Sequence, residues 1–187
     1  IANKESNESY TYSFNLLDEN RYDEDTVASY KYQEDSTLGE MLSISGIDYS
    51  TVEIYVDGNK LADNKYTINE TTGLVTIANM KAPVEGTNVR VVAYDKYANK
   101  LDRTTTVRSL KILAGEKDEV QETYLFWDRD TIEGIELPTP DERYGHTFVE
   151  WDGSIPSTMP DRNVEIKAVY TPNLHNVTIN NQNGELV

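Results

Sequence analysis

Few side chains in this 187-residue chain have the types and spacing that chemistry requires. The two histidines, His146 and His175, stand 29 positions apart, with no His-Glu-x-x-His around either. Zinc takes four ligands drawn from Cys, His and carboxylates, and with no cysteines the set is short. Asp128, Asp130, Glu133 and Glu136 contain the acid types used in glycoside hydrolysis. That reaction needs two carboxyls held across a cleft, and in so acidic a chain their proximity in sequence is expected by chance. Asp18–Asp25 clusters carboxylates as hard cations require, but lacks the glycine of an EF-hand turn and its terminal Glu. A solvated turn is the better reading. No phosphate-binding loop, dinucleotide fingerprint or serine elbow is present, so no catalytic, cofactor-binding or metal residue is assigned. Trp127 and Trp151 are the remaining candidates, because aromatic faces stack on sugars. Trp151 reads as a core anchor. Trp127 follows Phe126 directly, and neighbouring strand residues face opposite ways, so Trp127 is the candidate ligand contact.

The elements that position these residues are mostly strands. Tyr10, Tyr12, Phe14 and Leu16 share one parity, as do Val52, Ile54 and Val56, and Val89 and Val91 with Ala93. Thr26–Gln33, Lys65–Ile68, Leu74–Ile77, Thr104–Leu113, Ile132–Leu137, Thr147–Trp151 and Val164–Tyr170 also read as strands. Asp57-Gly58 and Asn69–Gly73 supply turns. One helix is expected near 37–45. Thr37 and Glu40 make a capping box, Leu38, Met41 and Leu42 form a stripe, and Gly46 suits the C-terminal cap. The expected class is mainly β with minor α, as two small β-grasp-like α+β domains. The polar stretch Ala114–Glu122 is the expected boundary. It gives a strand-rich module over 1–115, a second module over 116–173, and the start of a following repeat or a linker over 174–187, where Val177 and Ile179 alternate.

Charge narrows the partners. Thirty-three acids against 17 bases give a net charge of −16, which excludes the basic footprint of a nucleic-acid binder and disfavours anionic membranes. No apolar run approaches the ~20 residues that span a bilayer. The chain starts at Ile1 without a signal peptide, as expected of a piece of a longer protein.

Leu137-Pro138, then Gly145-His-Thr-Phe-Val-Glu-Trp151, then Met159-Pro-Asp-Arg-Asn-Val-Glu-Ile-Lys-Ala-Val-Tyr170 resembles the internalin B-type repeat, or Listeria–Bacteroides repeat. The resemblance spans residues ~122–172. Two positions depart from the family pattern: His146 stands where Tyr is usual, and Glu150 where Gly precedes the Trp, a glycine that relieves crowding or a bulge. The resemblance implies a small β-grasp-like module of a large, often wall-anchored surface protein, here expected to be Gram-positive. It also implies a non-catalytic structural or adhesive role outside the cell, cell-wall attached or secreted. The partners would be neighbouring modules of the same chain and a host or neighbouring-cell surface protein or glycan. A carbohydrate-binding module appended to a secreted enzyme is the alternative.

Overall fold

A computed structural model describes residues 10–16, 27–29, 46–95, 98, 100–179 and 182–183. The acidic run 18–25, the capping box and stripe at 37–45, and all of the expected strand 26–33 except 27–29 lie outside them. The protein is mainly β. Among the described residues helix is limited to the 3-10 turn Asp63–Lys65 and a single 3-10 residue at Gly46, and no helix is long and apolar enough to cross a membrane.

The chain divides into two compact units that interleave in sequence. Unit 1 takes residues 1–110, 124–133 and 156–164; unit 2 takes 111–123, 134–155 and 165–187. The sequence places one boundary in Ala114–Glu122. There the chain forms a hairpin instead, with a four-residue turn at 115–118 between two strands that each run through both units. Gly115 and Asp118 both have positive φ, 85° and 54°, so a turn this tight needs the residue types found there.

Unit 1 contains two antiparallel layers. The first has the order β1-β6-β5, from Tyr10–Asn15, Leu74–Met80 and Tyr66–Asn69. The second runs from β8 (Lys100–Ala114) through β7 (Asn88–Asp95) and β3 (Ile47–Val56) to β4 (Asn59–Lys60), and β2 (Val27–Ser29) also pairs with β8. Asp57 and Gly58 close the β3–β4 hairpin with φ of 49° and 77°, the left-handed pair that a two-residue turn demands. One core joins the layers: Tyr12, Phe14 and Leu16 from β1, Val75 and Ile77 from β6, Ile54 from β3, and Val89 and Val91 from β7. The alternation in the sequence gives these faces directly.

A β-bulge sets part of this core. Tyr10 pairs with Met80 and Tyr12 with Ile77, so β6 carries one residue more than β1 over this interval. Asn79 absorbs it with a φ of 57°. Ile77 and Met80, three apart, therefore both point inward, where strict alternation would put them on opposite faces.

In unit 2, β10 (His146–Asp152) pairs antiparallel with β11 (Val164–Pro172), beside the hairpin end of β8 and β9 (Glu119–Trp127). Ile132–Leu137 is not a strand; in that region only Thr131 bridges, to Thr158. Gly134 turns the chain with a φ of 71° and Pro138 has no N–H to donate, which ends any ladder there. Residues 173–179 carry no strand pairing, and Leu174, Val177 and Ile179 are exposed.

Candidate functional site

Trp127 does not lie where the sequence places a ligand contact. It is 4% exposed. Its ring stacks on Tyr12 with centroids 4.2 Å apart, and its Nε1–H donates to the Tyr10 hydroxyl at 3.3 Å. The end of β9 is covered on that side by β1, so Trp127 fills the unit 1 core and its neighbour Phe126 is only partly covered. A ring closed on one face by Tyr12 and almost wholly removed from solvent has no surface on which a sugar can stack.

Trp151 is half-buried and lies on a second bulge. Phe148 pairs with Tyr170, Glu150 with Val169, and Trp151 with Ala168, so Val149 is the extra residue. It turns Phe148 and Trp151 onto one face, their rings 5.5 Å apart, with Phe148 edge-on to Tyr170 at 6.0 Å. Glu150 occupies this irregular step with an ordinary negative φ, because the left-handed non-glycine residues among those described are Asp57, Asn79, Ala98, Asp118 and Arg129. A side chain is therefore accommodated where the repeat pattern has glycine. It points into solvent.

Tyr170 also closes a polar clamp that sequence reasoning missed. Its hydroxyl accepts the Gly115 N–H at 3.0 Å and donates to the Asp141 carbonyl. Arg143 lies over the Tyr170 ring, 4.4 Å from its centroid, donates from Nε to the Gly115 carbonyl at 2.8 Å, and pairs with Asp118. A Cβ on Gly115 would meet the Asp141 Cβ at 3.5 Å, an ordinary contact, so it is the φ of 85° that favours glycine. The clamp pins the 115–118 turn against the 141–144 loop. In sequence, the signal is only an arginine beside a turn and an aromatic ending a strand. Nothing there links positions 28 and 55 residues apart.

The remaining candidates separate. Asp128 is buried and accepts from Thr105 Oγ1 at 2.7 Å, while Glu133 and Glu136 are exposed. His146 donates from Nδ1 to the Tyr144 carbonyl at 2.8 Å, and His175 is exposed in the 173–179 segment. Among the described residues no group of three or more acids and histidines is placed to hold a metal ion.

A charged ladder lies on the outer face of unit 1, on the positions that alternate with the core residues of β3, β7 and β8. Arg90 grips Asp102 through two bonds, Nε to Oδ1 at 2.7 Å and Nη2 to Oδ2 at 2.6 Å. Lys100 adds a third at 2.9 Å. The Arg90 hydrogen bonds, reinforced by Lys100, hold the Asp102 carboxyl well below its ordinary 3.8, at about 2. Beside it Lys60 pairs with Glu53 and Tyr55 donates to Glu53 at 2.7 Å, and the two together lower the Glu53 carboxyl. The arrangement is a solvated cross-strand network with no general acid or base poised near neutrality.

No protein-family model, no curated protein and no solved structure matches the chain.

Proposed function

We propose that the chain is a non-catalytic structural or adhesive segment of a large bacterial cell-surface protein, displayed outside the cell and either wall-attached or secreted. In this reading it acts as a stalk or protein-interaction region. Residues ~122–172 derive from an internalin B-type repeat of β-grasp-like form, and the first module is α+β through a helix near 37–45. The partner is a host or neighbouring-cell surface protein or glycan, together with adjoining modules of the same chain.

One observation carries the proposal: the side chains that make the repeat resemblance are engaged in packing. Phe148, Trp151 and Tyr170 pack together on one face of the β10–β11 hairpin, and Met159 is fully buried in unit 1 with its N–H bonded to the Asp130 carbonyl at 2.8 Å. A motif used this way encodes a scaffold. The carbohydrate-binding alternative loses its main support because Trp127 is buried. Deleting residues 1–187 in frame from the parent protein tests the proposal. Reduced adhesion, or loss of reach of a distal epitope above the cell wall, is expected; unchanged adhesion and reach sink it.

A further inference from the structure

Unit 1 holds an open apolar groove that none of the roles above uses. It has a volume of about 410 Å³, within the range of small-ligand sites. Val56, Leu61, Ala82 and Val84 line it with accessible apolar surface, and the buried Ile77 and Met80 lie behind them. The Asn79 bulge shapes it by turning Ile77 and Met80 to the same side. Val84 stays 59% exposed on the wall, so the apolar surface continues to solvent and is reachable.

The charge around it runs against the rest of the molecule. Lys65 and Lys81 are exposed and line the groove, and neither makes a salt bridge among the described residues. Asp57 also lines it and stays anionic, its Oδ1 accepting the Asn88 N–H at 2.9 Å, so the two lysines leave the lining with a net positive charge. In a chain of net charge −16, a groove with accessible aliphatic surface and a net positive lining is complementary to a molecule with an apolar tail and an anionic head. We propose that this groove binds a medium-chain aliphatic carboxylate, with its chain along Val56, Leu61 and Val84 and its carboxylate between Lys65 and Lys81. Lysine is a compact charge on a flexible stem and follows a small head group without a fixed fork.

The test is calorimetric titration of the whole chain with hexanoate, octanoate and decanoate, with decanol as the neutral control, read alongside methyl NMR. Saturable binding is expected, tightening about fourfold per added methylene, as burial of one CH₂ predicts, until the groove is full. The Val56, Leu61 and Val84 methyls should shift. The surface double variant Lys65→Gln/Lys81→Gln should weaken decanoate about tenfold and leave decanol unchanged. Ala82→Trp, which fills the groove from its wall, should abolish both, with an unchanged melting temperature showing that the fold is intact. No saturable binding overturns the proposal, as does binding that ignores both variants or shifts methyls elsewhere. If only an aliphatic, acidic peptide moves these methyls, the groove is a protein-docking site and the carboxylate assignment falls.

Discussion

Among the described aromatic residues Trp127 has the largest energetic stake, because it is nearly sealed in the unit 1 core and stacked on Tyr12. Trp127→Ala should cost about 3–5 kcal/mol, the usual range for removing a buried indole. Urea unfolding measures it, and a loss below about 1 kcal/mol would place the ring outside the core. Trp151 is half-buried, so the same substitution there should cost less, about 2 kcal/mol. Asp102 makes a pH-dependent contribution. Its folded pKa is depressed, so its stabilisation is present above the unfolded value and is lost as pH falls from about 4 through about 2. By linkage that is about 2 kcal/mol, and solvent screening at Arg90, whose side chain is 42% exposed, lowers the expected share to about 1 kcal/mol. Asp102→Asn should therefore flatten the acid limb of a stability profile between pH 2 and 5; a limb identical to wild type would show that the ladder contributes nothing.

At the scale of elements, the bulges in β6 and β10 do the same work. Each inserts one residue so that an i, i+3 pair shares a face: Ile77 with Met80 in β6, and Phe148 with Trp151 in β10. Deleting Val149 should remove the bulge and leave Phe148 and Trp151 two positions apart, still on one face, in a regular register with Tyr170 and Ala168. The expected result is retention of the Phe148–Trp151 contact in NMR spectra with a change in stability of no more than about 1 kcal/mol. Loss of that contact would mean that Val149 is not the extra residue. Glu150→Gly should change stability by no more than about 1 kcal/mol, since the backbone there does not need glycine. Strand identity was legible because β1 and β11 alternate cleanly and burial follows that parity, whereas β3 changes parity between Ile47 and Val52 and β7 buries Val91, Val92 and Ala93 in succession. The bulges were not, since an extra residue shows only in the register with a partner strand. The Arg143–Tyr170 clamp was hidden for the same reason. Trp127 was misplaced because local alternation says which faces differ, and only the β1 strand, 117 residues earlier at Tyr10, decides that its face is covered.

For the whole molecule, the interleaving of the two units governs which pieces of the chain can fold. Composition points to a cut in the polar stretch after Ala114, because exposed acidic residues usually mark a linker. The turn at 115–118 is polar for another reason: a hairpin end projects into water, and its strands continue on either side. Cutting there removes 124–133 and 156–164 from unit 1, and with them Trp127, Ile132 and Met159, all buried. Losing Trp127 alone is expected to cost about 3–5 kcal/mol, against a typical total stability of about 5–15 kcal/mol, and the excision also strips β9 from β8. A fragment of residues 1–115 should therefore show no cooperative thermal transition and poorly dispersed amide resonances, whereas the 187-residue chain should show both a transition and dispersion. A cooperative melt of the fragment close to that of the whole chain would mean that unit 1 closes without its distal segments, and that the polar stretch after Ala114 is a true domain boundary.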